Sequence, residues 1–142
     1  MRLFEALAAL GHEQVVLCSD TAASYRAVIA IHSTRLGPAV GGTRLRAYAR
    51  DEDALADALG LSRAMTLKSA LAGLPFGGGK AVILQPEGAS GGRPAFDREA
   101  LFEAHGRAIE ALGGRFVTGE DVGVSPADLE CVRRHTGHVA GL

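Results

Sequence analysis

Apolar and polar positions change their spacing several times along this chain, and each change marks an element. Residues 3–10 place apolar side chains at helical intervals around Glu5 and suit a short amphipathic helix. Residues 14–18 and 25–32 are strand-like, and the turn chemistry from Asp20 to Ser24 joins them as a hairpin. Residues 36–44 read as a loop whose doubled glycine leads into a short strand. A long helix is expected from Asp51, where Glu52 and Asp53 favour the positive N-terminal end. Leu55, Ala58, Leu59, Ser62, Met65, Ser69 and Ala72 form one apolar or small stripe along it, with Lys68 at the stripe's edge. Gly73 ends that helix, because glycine enters the left-handed region without steric cost. Residues 81–84 are uniformly apolar and suit a buried strand. Residues 86–94 suit a glycine-rich surface loop, and a helix follows from Phe96 to Leu112. Phe116, Val117 and Thr118 suggest another buried strand, ending in residues 119–123. Ser125 then caps a last helix to about Arg134, with Asp128 completing a variant capping box. The alternation predicts an α/β fold of three layers. It has a mostly parallel sheet, helices on both faces and an N-terminal antiparallel hairpin.

The chain's 142 residues suit one domain with a sizeable core, and 47% hydrophobic against 22% charged residues read as soluble and globular. A net charge of −1 gives no electrostatic case for nucleic acid or an anionic membrane. No apolar run is long enough to span a bilayer, and Glu5 and Glu13 break the only stretch resembling a signal peptide. Two cysteines make no disulfide scaffold, so a cytoplasmic location is expected. Many of the 19 glycines cluster at residues 37–42, 73–79 and 113–123, which suggests backbone packed closely around something small.

The candidate chemistry centres on Lys68 and Lys80, which bracket eleven uncharged residues including Gly77, Gly78 and Gly79. Desolvation and mutual repulsion would both favour losing a proton there, as a lysine acting as a base requires. A phosphate loop is excluded. Position 74 is Leu, position 81 is Ala, and the order is helix to strand. No Gly-x-Gly-x-x-Gly follows a strand, so no nucleotide-binding domain is expected within the chain. Each lysine alone could be a solvated helix end or loop residue. Asp121, after the last strand, could be a loop anchor or an acid/base group. Cys131, His135 and His138 could offer three metal ligands, but a polar helix end is preferred and no metal is expected. His32 is read as a satisfied structural histidine.

Four motifs together carry a resemblance. They are residues 37–44 (Gly37 to Arg44), 64–68 (Ala64 to Lys68), 74–80 (Leu74-Pro75 through Gly77-Gly78-Gly79-Lys80) and 118–123 (Thr118 to Gly123). In order and spacing they resemble the N-terminal domain of the glutamate/leucine/phenylalanine/valine dehydrogenases, over almost the whole chain. The resemblance implies that residues 1–142 form the catalytic and oligomerisation domain. The family's NAD-binding Rossmann domain would then be absent and begin after about residue 142. It implies oxidative deamination of an L-amino acid to the 2-oxo acid and ammonia, with NAD as hydride acceptor, in a homo-oligomer. Lys68 would bind the substrate carboxylate, Lys80 would activate water as a base, and Asp121 would shuttle a proton to and from the amino group. Val40, Gly41, Gly42, Met65 and Gly119 would line the substrate site.

Glutamate-using members carry lysine at position 40. Valine there would leave a side-chain carboxylate unpaired, at a cost of several kcal/mol. Gly119 resembles the phenylalanine-using members, where leucine-using ones tend to have alanine, so phenylalanine or leucine/valine is the expected substrate. The contrasting expectation is a non-catalytic oligomerisation or ligand-binding module derived from the same family. Intact Lys68, Lys80 and Asp121 weigh against it.

Overall fold

In the computed structural model, residues 1–88 and 96–142 are described, so residues 89–94 of the expected surface loop lie outside the described residues. The elements run α1 (Leu3–Leu10), β1 (Gln14–Asp20), β2 (Tyr25–Ser33), β3 (Ala39–Arg46), α2 (Asp51–Leu71), β4 (Gly77–Leu84), α3 (Arg98–Glu110), β5 (Phe116–Glu120) and α4 (Pro126–Arg133). A short 3-10 turn at Thr21–Ala23 joins β1 to β2, with Ser24 in the left-handed region. Among these helices none is long and apolar enough to cross a membrane.

The five strands form one sheet in the order β1-β2-β4-β3-β5. β4, β3 and β5 are parallel to one another and make its core. The hairpin β1–β2 adds to the β4 edge, antiparallel within itself and to β4. Helices cover both faces. α1 and α2 pack with Val28, Ala30, Val82 and Leu84 on one face. α3 and α4 close the larger core around Ile29, Ile31, Ile83, Phe102 and Phe116 on the other. The α/β three-layer expectation is met.

β4 is longer than its apolar run suggested. It begins at Gly77, and every residue to Leu84 is buried, so the triple glycine is strand rather than turn. The reason is the close approach of α2. A side chain at Gly78 would place its Cβ 2.1 Å from the Thr66 backbone nitrogen. Only glycine allows helix and strand to meet at that distance. α2 starts at Asp51 as expected and stops before Gly73, which takes φ +69°. Its buried face is Ala54, Ala58, Leu59, Ser62 and Ser69, whereas Ala72 is exposed beyond the last turn. α3 starts at Arg98 rather than Phe96, because the Asp97 side chain accepts from the Ala100 N–H and caps it. Ser125 and Asp128 form the expected capping box of α4. Beyond α4 the chain returns to β5. Thr118 N–H donates to the His138 carbonyl and Ala140 N–H to the Thr118 carbonyl, which covers the outer edge of that strand.

Candidate active site

Side chains alternate across a strand, so Val40, Gly42 and Arg44 of β3 share the α2 face of the sheet. Register sets Val40 beside Gly78 and Val117, and Gly42 beside Gly119. Gly78 and Lys80 point to the same face from β4, and Asp121 follows directly after β5. Gly42 has no room for a side chain. Its Cβ would lie 3.0 Å from the Asp121 Cβ, so its absence lets the β5 terminus lean in.

Lys80 is 6% exposed, and its Nζ lies 3.4 Å from Asp121 Oδ2. Arg44 Nε donates to the same oxygen at 2.7 Å. Arg44 Nη1 donates to Asp57 Oδ2 at 3.3 Å, and the Tyr48 hydroxyl donates to that oxygen at 2.5 Å. The cluster therefore draws on β3, the loop after it, α2, β4 and the end of β5.

Burial is the largest influence on the Lys80 amine and pushes its pKa down; Asp121 opposes this and Arg44 reinforces it, with a net fall below the ordinary lysine value. Burial alone would raise the Asp121 carboxyl. The Arg44 hydrogen bond, the Lys80 charge and the Val122 N–H outweigh it and hold the carboxyl below its usual range. Burial and the bond to Asp57 push the Tyr48 phenol well up, so it stays a donor.

Lys68 stands apart from this cluster. It is exposed on the last turn of α2 and joins no ion pair among the described residues. The cation that acts on Lys80 is Arg44, where the sequence had pointed to Lys68. Asp57, Leu61, Met65 and Lys68 nonetheless follow one stripe of α2, spaced four, four and three residues apart. That stripe runs about 16 Å from the Arg44 contact to Lys68. Met65 sits between, its Cγ near the backbone at Gly41. The structure thus joins Lys80 and Asp121 directly. It sets Val40, Gly42 and Gly119 beside them on the strands, with Gly41 and Met65 at the border. Gly78 and Gly42 serve the approach of protein to protein, whereas backbone access for a ligand was expected of them.

Arg44, Asp57 and Tyr48 were not among the expected site residues. Strand parity with Val40 and Gly42 was the signal for Arg44, and the four-residue step back from Leu61 and Met65 was the signal for Asp57.

Behind the site runs a buried polar chain. The Tyr25 hydroxyl and His105 Nδ1 are hydrogen-bonded at 2.6 Å, and His105 Nε2 bonds Thr43 Oγ1 at 2.8 Å. Thr43 Oγ1 bonds Thr118 Oγ1 at 2.6 Å, and Thr118 donates to the Gly119 carbonyl at 3.2 Å. His105 is fully buried, and desolvation pushes its pKa down to about 3, so the ring is neutral. His32 is satisfied as expected, bonding Thr66 Oγ1 through one ring nitrogen and the Leu10 carbonyl through the other. Cys131, His135 and His138 go separate ways. Cys131 joins the core, His135 bonds Glu103, and His138 faces Glu110.

A buried amine beside a carboxylate that a guanidinium also holds, where α2 packs on an α/β sheet, is equipped to move protons at a small polar substrate. The chain belongs to the Glu/Leu/Phe/Val dehydrogenase family, whose dimerisation-domain model matches residues 12–138. It is 47% identical to leucine dehydrogenase of Geobacillus stearothermophilus, over all of this chain and 37% of that protein. It is 53% identical to valine dehydrogenase of Streptomyces virginiae, over 92% of this chain and 35% of that protein. The crystal structure of L-tryptophan dehydrogenase from Nostoc punctiforme superposes with a TM-score of 0.87 at 45% identity, over 96% of this chain and 39% of that one. The chain thus spans little more than a third of the length of these relatives.

Proposed function

We propose that this chain is the substrate-binding, lysine-bearing domain of an NAD-dependent L-amino-acid dehydrogenase, which deaminates a large apolar amino acid to its 2-oxo acid and ammonia. The observation that carries the reading is the nearly enclosed Lys80 amine at 3.4 Å from Asp121. The described residues offer no dinucleotide cradle, since Gly41, Gly42 and Gly77–Gly79 lie within strands and open no helix. In this reading NAD is the hydride acceptor and is bound outside these residues.

Within this chain, the depressed Lys80 amine takes a proton from the water that adds to the imino carbon. Asp121, ionised at rest, takes a proton from the substrate's amino group and gives it back to the departing nitrogen, so it shuttles a proton while Lys80 acts on the water. Lys68, exposed and without an ion pair among the described residues, supplies the cation for the substrate carboxylate. Val40 lines the side-chain pocket and gives a second carboxylate no partner, which disfavours glutamate by several kcal/mol. Gly119 enlarges the pocket. The domain also joins copies of the protein into an oligomer, in a cytoplasm that keeps Cys18 and Cys131 reduced.

The test is steady-state kinetics on the intact reading frame with NAD and leucine, valine, phenylalanine, tryptophan or glutamate. Lys80→Ala should lower kcat by about 100-fold or more, and Lys68→Ala should chiefly raise KM. Wild-type-like turnover from Lys80→Ala would remove the base assignment. At Gly119 an added Cβ meets only the Ala140 carbonyl at 3.7 Å, an ordinary contact. Gly119→Ala should therefore fold normally and lower kcat/KM for phenylalanine relative to leucine by roughly 10-fold.

A further inference from the structure

Asp121 Oδ2 is shared by two cations at unequal distances, 2.7 Å to Arg44 and 3.4 Å to Lys80. The shorter contact is a directed N–H donation from a guanidinium that is itself held on its other arm by Asp57. Asp57 is fastened in turn by the Tyr48 hydroxyl. A guanidinium suits this task because its planar fork serves two carboxylates at once, which an ammonium cannot do with the same geometry. All four side chains are at least half-buried, so solvent screens the contacts incompletely.

We propose that Arg44 is a positioning residue, braced by Asp57 and Tyr48, that clamps Asp121 and keeps it from closing fully on Lys80. Left to itself, a carboxylate beside a buried amine would draw up to it and hold it as ammonium. Arg44 takes the stronger share of the carboxylate charge and adds a positive charge of its own beside the amine. Both effects favour the free amine, in keeping with the direction of the Lys80 shift. The charged and titratable groups that bear on Lys80 are Asp121 after β5, Arg44 on β3, and Asp57 on α2 with Tyr48 behind it. The inference rests on the reading of Lys80 as a base for its functional meaning, but its physical content does not.

The test titrates the Lys80 amine in this chain by NMR on protein labelled with 13C,15N-lysine, with Lys80→Arg assigning its signal. Arg44→Gln should raise the Lys80 pKa by at least about one pH unit. Arg44→Lys, which keeps the charge and loses the fork, should raise it by less. An unchanged or lowered Lys80 pKa in folded Arg44→Gln overturns the proposal. Should Arg44→Gln not fold, Arg44→Lys decides, and a Lys80 titration identical to wild type overturns it. In the intact dehydrogenase, Arg44→Gln should move the rising limb of kcat/KM upward in pH by the same amount. Because the titration needs no turnover, a Lys80→Ala enzyme that remained active would sink the base assignment and leave this result standing.

Discussion

His105 has no counterpart among the residues that motif and spacing brought forward, yet it is the most completely buried ionisable group among the described residues. Its neutrality follows from where it lies, between α3 and the sheet, with a phenol on one nitrogen and a threonine on the other. The folded ring titrates at about 3 and a free one at 6.5. The unfolded chain therefore binds the extra proton between those values, and stability falls as pH drops from about 6.5 towards 3. This linkage is worth on the order of 3 kcal/mol between pH 7 and pH 4. Urea unfolding at both pH values checks it. His105→Gln, less stable at pH 7, should lose much less than wild type on acidification, and equal losses would refute the assignment. Asp128 acts in the same sense lower down. Burial opposes its charge, but Arg98 and the Ser125 N–H hold the carboxyl below its ordinary range. Its contribution is present above the unfolded carboxyl pKa and lost as pH falls through the folded one.

At the scale of elements, the glycines divide into those that let two pieces meet and those that do not. Gly78 lies under Thr66 where α2 crosses β4, and Gly60 on the same helix has nothing within 4 Å of where a Cβ would be. Gly78→Ala should cost about 3 kcal/mol or more through overpacking. Gly60→Ala should stabilise by roughly 0.5–1 kcal/mol, since alanine is the better helix former. Denaturant melts of the two variants beside wild type would show opposite shifts. The elements themselves were legible because helix stripes, caps and apolar runs are local signals. The Asp51 start, the Gly73 stop and the Ser125–Asp128 box all lie within a few residues of the event they control. The start of β4 was not legible, because three glycines read as a turn until the helix that presses on them is known. The cluster around Lys80 was half legible. Lys80 and Asp121 stand next to conspicuous motifs. Arg44 and Asp57 matter only through a pairing between β3 and α2 that no local pattern announces.

At the scale of the molecule, the antiparallel hairpin is set beside a parallel core, so the two sides of the sheet differ in kind. On one side β1 is an edge strand, with Leu17 70% exposed. On the other, residues 138–140 lie along β5. Ala140→Pro removes the N–H that donates to the Thr118 carbonyl. It should loosen this cover while the core, measured by amide exchange in β2 and β4, stays protected. That capped side decides how copies can grow together. A sheet open along one border can accept a single neighbour there and then stops, whereas one open along both could add units without end. With residues 138–140 bonded to β5 at Thr118, backbone pairing with another sheet is favoured along the uncovered β1 border and disfavoured along the β5 one.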